Sequence, residues 1–423
     1  IFLLLFIVTY LSNNSFDVIF EIKELQYIFS SNLLLFITSL FLIIIFIIQL
    51  SYFKSKFKFQ KYFLTKKNKK LEKGYNYFVE AMIALANRDK KNAIEANYKM
   101  KKLLNNKGLS LLLNSEIYKI ERKFDKLQIV HEEMIKNKIT ETLGYKGLME
   151  QNLYNQDYHH AFIYGEKLFE LNPFVEKLYP TLVNIIAKSK NWNQLISVTK
   201  QAYNKKIIEI NIFNKNTSIA YYEISKIKMH SDSAESLNLI KKAIKLNSLF
   251  PPFIKLHLEI LYLIDDIPQL LKILKKYWSK EPSSSLRNTL SSFLKEKKLD
   301  DIKNIKLITK SNSNELESKK LILDFAIHNS LWALARENIV GLIGKNPDRE
   351  ICEFMALIEL GENNDKQKSD AWYLRGQNSN LDKIWVCKIS NISQVDWSSV
   401  SDGGFFNSLE WKQPKMLSSN IIY

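Results

Sequence analysis

The sequence predicts an all-α protein: an N-terminal transmembrane hairpin, an α-solenoid of paired helices, and a short Trp-rich β tail. Three observations carry this. Glycine and proline number only 11 and 8 in 423 residues, well below their usual shares of ~7% and ~5%. A fold rich in tight turns or glycine phosphate loops is therefore disfavoured, and long helices joined by short polar turns are expected. Residues 25–53 contain no charged side chain. Beyond residue 73, small and apolar residues recur with a period of 34.

Within the charge-free run, residues 33–48 are apolar except for Thr38 and Ser39. About 20 such residues cross ~30 Å of hydrocarbon as a helix, and the uniform run Ile43-Ile44-Ile45-Phe46-Ile47-Ile48 excludes a one-faced surface helix. Residues 1–11 are apolar but too short to span alone. Since the chain begins at Ile1 rather than Met, a first span whose beginning is missing is expected. The competing reading is a cleaved signal peptide, against which stands the lack of a small-x-small site before Ser12. Between the spans, residues 12–31 read as an acidic loop, with Asp17, Glu21 and Glu24 against Lys23.

After the second span come Lys54, Lys56, Lys58, Lys61, Lys66, Lys67, Lys69, Lys70 and Lys73, opposed only by Glu72. That segment holds +8 of the chain's +17. Lysine-rich flanks stay cytoplasmic, so the large C-terminal part is expected in the cytoplasm of a bacterium, below a two-span inner-membrane anchor. The lysines alternate with Tyr52, Phe53, Phe57, Phe59, Tyr62 and Phe63, a mixture suited to anionic headgroups. Adjacency to lipid explains the segment without nucleic acid, and no nucleic-acid partner is expected. The expected divisions are a hairpin at 1–50, a basic juxtamembrane segment at 51–73, a solenoid at 74–375 and a tail at 376–423.

In the solenoid, helix-pair anchors fall at Ala93, Leu127, Ala161 and Leu195, then after an insertion at Ser236 and Leu270. Seven residues after each sits Met100, Met134, Leu168, Ala202, Ala243 or Tyr277, and Ala81, Ser115, Met149, Val183 and Leu258 mark the first helices. Small or apolar residues at fixed phase let antiparallel helices pack closely, unit upon unit. Pro173, Pro282 and Pro347 close several units. The pattern resembles the tetratricopeptide repeat, with weaker copies near Ile302 and Ala335 and with Gly165 and His131 where a large aromatic is usual. The resemblance implies a concave wall made by the first helix of each pair, which would present Lys146, Glu150, Tyr154, Lys177, Asn184, Lys188, Lys255, Glu259 and Tyr262 to a groove. Their mixed charge points to a protein partner rather than a polyanion.

The tail carries Trp385, Trp397 and Trp411 within 27 residues, alternating residues and Gly403-Gly404. It resembles a degenerate zinc ribbon: Cys387 would open the first knuckle, position 390 is serine, and no cysteine follows between 398 and 404. One thiolate cannot hold zinc tetrahedrally, so no structural metal is expected and the three tryptophans are expected to hold the tail instead. The order of features resembles the HemY family: the Asn13-Asn14-Ser15-Phe16-Asp17-Val18 turn, a second span, a polybasic stretch, helix pairs from near Tyr75, and the Trp-x-Cys through Leu-Glu-Trp tail. That resemblance implies an inner-membrane scaffold linked to haem (porphyrin) biosynthesis, with pathway enzymes as partners. The alternative is a membrane-anchored adaptor for a protease or a regulator of envelope-lipid synthesis.

No catalysis is expected. No Gly-x-Gly-x-x-Gly follows a strand, and Gly403-Gly404 precedes no helix. The adjacent His159 and His160 would point ~100° apart on a helix and lack chelating spacing. His131, His230, His257 and His328 are scattered. A lone His257 or His328 could ligate haem transiently, but nothing in the residues speaks of haem, and no resident cofactor is expected.

Overall fold

The computed structural model describes residues 9–10, 13, 16–22, 25–344 and 347–414. Apart from residues 9 and 10, the expected first span lies outside the described residues. The segment read as a loop contains two antiparallel strands, β1 (Asp17–Ile22) and β2 (Leu25–Ser30), with Asp17 opposite Ser30 and Ile19 opposite Ile28. Its Val, Ile, Phe and Tyr residues favour extended backbone, an outcome that the charge-based reading of the segment overlooked. The described residues are otherwise mostly helical, and they divide into two compact units, Ile1–Thr140 and Glu141–Tyr423.

In the first unit, helix α1 runs unbroken over Ser31–Ala86, 56 residues, about 84 Å at 1.5 Å per residue. Its N-terminal part is long and apolar enough to cross a membrane, and none of that apolar stretch is buried. Phe36, Phe41 and Phe46 are each at least 60% exposed, an arrangement that water penalises and hydrocarbon does not. The basic juxtamembrane segment, Lys54 to Lys73, continues the same helix. Among the residues of α1 whose burial is described, the first buried one is Gly74. A Cβ there would lie 2.4 Å from Leu104 Cγ, so glycine lets the helix meet its neighbours. From that point α1 packs with α2 (Lys90–Leu103) and α3 (Lys107–Glu121) around Ala81, Ala93, Met100 and Leu113, and α4 (Phe124–Ile135) packs on α3 through Leu111, Val130 and Met134.

The second unit holds seven helix pairs: α5 (Glu141–Tyr154) with α6 (Tyr158–Leu171), α7 (Leu178–Lys188) with α8 (Trp192–Asn204), α9 (Ile210–Lys228) with α10 (Ser233–Leu246), and α11 (Pro251–Leu263) with α12 (Ile267–Lys280). Then come α13 (Ser284–Glu296) with α14 (Ile302–Thr309), α15 (Leu316–His328) with α16 (Trp332–Val340), and α17 (Arg349–Asn363) with α18 (Lys366–Gln377). First helices stand beside first helices from α9 through α17. All the repeat anchors and their partners seven residues on are buried, from Ala93 and Met100 to Leu270 and Tyr277. The chain thus forms tetratricopeptide-like helix pairs. The 19-residue α9 is longer than the other helices of its unit and takes up the insertion between Leu195 and Ser236.

The turn inside each pair repeats as well. Arg88, Arg122, Gln156 and Lys190, spaced by 34, are all left-handed with φ of 55–60°, and Ser330 and Asn364 repeat the spacing and the conformation. In most pairs the next residue is an N-cap: Asp89, Asp157, Asn191, Asp266 and Asp365 each accept a hydrogen bond from the backbone N–H three residues on. A side chain at positive φ costs about 1 kcal/mol relative to glycine, which this glycine-poor chain tolerates repeatedly. The tail forms a three-stranded antiparallel sheet in the order β4 (Ser393–Gln394), β3 (Ile384–Cys387), β5 (Leu409–Lys412), with Trp385 opposite Trp411.

Candidate functional site

The tail lies on the first helices of the second unit. Asn184 of α7 accepts a hydrogen bond at Oδ1 from the Phe406 backbone N–H, 2.8 Å away. Asn407 donates to Asn216 Oδ1 of α9 at 3.1 Å, and Asn216 in turn donates to Tyr179 Oη at 2.9 Å. Trp411 Nε1 donates to Ser284 Oγ at the start of α13, 3.0 Å away. Trp397 meets Tyr222, Phe250 and Phe253 edge-on, with ring centroids 5.1–6.2 Å apart. The wall that a ligand would line is therefore partly covered by the chain's own C-terminal strap.

The nine expected groove residues accordingly do not form one surface. Lys146 and Glu150 form an exposed pair on α5 at 3.8 Å, and Tyr154 is 76% exposed at the end of that helix. Lys177 is not on a helix wall: it is the left-handed residue before α7. Its phase was counted across a loop that reaches the helix one residue later. Asn184 is engaged by the tail, and Lys188 lies against Gly404 and over the Tyr158 ring. Tyr262 sits beneath Lys297 Nζ at 5.4 Å. Only Lys255 and Glu259 line the open groove, a space of about 800 Å³ bounded by α9, α11, α13, α15, the start of α17 and the tail.

One wall of that groove is a buried ionic cluster that sequence reading missed. Arg287 of α13, only 2% exposed, donates from Nε to Glu317 at 2.8 Å, from one terminal nitrogen to Asp324 at 3.4 Å and from the other to Glu350. Lys320 reaches Asp348 at 2.7 Å and Glu350 at 2.8 Å. These contacts tie three successive first helices together. The signal for them was one arginine at a position that helix periodicity makes buried, with carboxylates one and two repeats on.

In the tail, Cys387 stands among serines, with Ser408 Oγ at 3.3 Å, the Ser390 backbone N–H at 3.5 Å and Ser401 Oγ at 3.7 Å. Burial acts to raise its thiol, but the hydrogen bonds it shares with Ser390 and Ser408 outweigh it and bring the group down to about 6. Among the described residues, no group of three or more His, Cys, Asp or Glu is placed to hold a metal ion. The tryptophans expected to hold the tail lie at its contacts: Trp385 is 8% exposed and packs on Trp411 and Phe250.

The histidines are placed separately. His160 Nδ1 lies 2.7 Å from the carboxylate of the N-cap Asp157 on an exposed helix end beside His159, and His328 lies 3.7 Å from Asp300. His131 and His257 are buried. His257 meets Tyr277 Oη at 3.1 Å, and its Nε2, like Nδ1 of His131, has no hydrogen-bond partner. Burial pushes both imidazoles down from 6.5 to about 4. The unfolded chain takes up these protons below pH 6.5, whereas the folded chain resists until about 4. The stability from keeping them neutral is therefore complete above pH 6.5 and lost as pH falls toward 4, on the order of 2 kcal/mol per residue. Melting temperature measured from pH 7 to pH 4 should fall, with a shallower fall in His257→Gln. An equally steep fall in that variant would mean that His257 is not the group being protonated.

No protein-family model and no curated protein matches the chain. Among solved structures it is similar to a tetratricopeptide repeat protein from Parabacteroides merdae, at 12% identity over 58% of this chain and 92% of that one, with a TM-score of 0.28. It is also similar to PilF of Pseudomonas aeruginosa, at 10% identity over 64% and 91%, with a TM-score of 0.22. A third likeness is to Naa15/Naa10 bound to HypK, at 10% identity and a TM-score of 0.32, where 72% of this chain matches 64% of that one. The chain thus spans less than two thirds of that last structure.

Proposed function

We propose that the chain is a non-catalytic scaffold, held on the bacterial inner membrane by its N-terminal segment, that binds proteins through its helical repeats. The observation that carries this is α1: one helix that is apolar and unburied at its N-terminal end and packed among repeat helices at its C-terminal end. A scaffold needs that continuity between an anchor and a binding array. A two-span anchor, a cytoplasmic array and haem-pathway enzymes as clients complete the reading. The first rests on the apolar runs at 1–11 and 33–48, the second on the lysine flank and the third on the resemblance to the HemY family. No resident cofactor is part of it.

The membrane contact of the lysines is narrower than their number suggests. On a straight upright helix, Lys73 stands about 28 Å beyond Lys54, whereas the headgroup zone is only about 6 Å deep. Lys54, Lys56 and Lys58 reach phosphates directly, and Lys66 to Lys73 act on the leaflet only through a field that decays over ~8 Å.

Two measurements test the proposal. The protein should remain with membranes through alkaline carbonate and high-salt washes; release by salt alone would leave the lysines as the only attachment. A photo-crosslinking residue placed at Asn288, on the open groove, should capture porphyrin-pathway enzymes in intact cells. Capture of a protease together with lipid-synthesis enzymes would instead establish the adaptor alternative.

A further inference from the structure

We infer that the open groove between the tail and helices α11 to α17 receives an extended protein segment bearing basic side chains. This rests on the protein-binding role proposed above and specifies the chemistry of the partner. The chain as a whole carries +17, yet this end of the groove is acidic. Arg287 and Lys320 are buried and fully engaged, so neither offers its charge to a ligand. Of the residues that line it, Glu317, Asp348 and Glu350 outnumber them three to two. Glu353, paired with Arg349 at 2.9 Å, and Asp382 add carboxylates at the mouth. Burial, followed by Glu350, Glu353 and Asp348, raises the Asp382 carboxyl, with Lys320 opposing. Over the whole lining seven carboxylates, those of Glu259 and Asp396 included, face five cations, Lys383 beside Asp382 among them, so a cation arriving on the α15–α17 side meets a net negative field.

The rest of the groove suits a peptide better than a lone ion. Trp385, Trp397 and Trp411 form its tail-side wall, where guanidinium and ammonium groups can stack. On α13, Ser285, Asn288 and Ser292 line the space at helical spacing and give short polar groups that can pair with a peptide backbone. The far end carries Lys226 and Lys255, which limits the acidic character to the α15–α17 side and fixes where the basic residues sit. A space of about 800 Å³ holds several side chains.

The test uses the full chain in detergent and three probes: a fluorescein-labelled Gly/Ser nonapeptide with two arginines, its twin with two glutamates, and spermidine as unlabelled competitor. Fluorescence anisotropy should show the arginine peptide bound about tenfold more tightly than the glutamate peptide. Asp382→Asn with Glu353→Gln should weaken it about fivefold, while Glu176→Gln, an exposed loop change elsewhere in the unit, leaves it unchanged. Both variants should melt like the parent. Equal binding of the two peptides, or no loss in the double variant, overturns the inference. Spermidine competing as strongly as the peptide per charge overturns it in favour of a free-cation site. If crosslinks from Asn288 still capture a protein without such charge preference, the scaffold stands and only the partner's chemistry falls.

Discussion

Replacing Trp397 by alanine will release the C-terminal strap and destabilise the second unit by about 3 kcal/mol. Its indole is the edge-on partner of Tyr222, Phe250 and Phe253, which belong to or flank α9 and α11. Truncation leaves those rings facing a void or water. The strap has other holds, at Asn184, Asn216 and Ser284, so the expected outcome is loosening before global unfolding. Limited proteolysis should cut near residues 390–405 in the variant at protease levels that spare the parent. Faster hydrogen exchange at the Phe406 amide should accompany the cut. An unchanged melting temperature with unchanged protease resistance would show that the strap does not depend on this side chain.

Arg287→Leu has an effect of similar size by a different mechanism. The substitution fills the volume but leaves Glu317, Asp324 and Glu350 without their shared cation, and stability should drop by about 3 kcal/mol at pH 7. The three carboxylates retain 16–23% side-chain exposure, so water relieves part of the penalty and the value sits at the lower end for buried pairs. Urea denaturation at pH 7 reads this directly when Arg287→Lys, which keeps a cation at the site, is measured beside it and loses less. Equal deficits in the two variants would assign the loss to packing rather than to charge.

How much of this was legible in the sequence depended on distance along the chain. Ala93, Leu127, Ala161 and Leu195 could be placed in the core because close helix packing demands small or apolar residues at one phase, a local requirement. The pair turns were half legible. The capping Asp89 and Asp157 announce a helix start, but Arg88 and Gln156 carry no preference for the left-handed conformation they adopt. The strap and the ionic cluster were not legible. Asn184 and Phe406 are 222 residues apart, and Arg287 and Glu350 are 63 apart, so both contacts exist only because successive helix pairs bring distant residues side by side. The expected groove followed from phase alone, and phase does not reveal that the chain covers part of its own wall.

Helix α1 also behaves as a shaft. Because the apolar segment, the lysines and the first repeat share one unbroken rod, the angle at which the first repeat faces is geared to the apolar segment by residue count. One residue inserted near Lys66 would turn the first repeat by ~100° about the rod and raise it by ~1.5 Å. Seven inserted residues complete nearly two turns, returning it to within ~20° of its starting direction but ~10 Å farther from the apolar segment. Insertions of one and of seven residues thus separate bearing from height, and a client that is itself embedded in the membrane would sense the two differently.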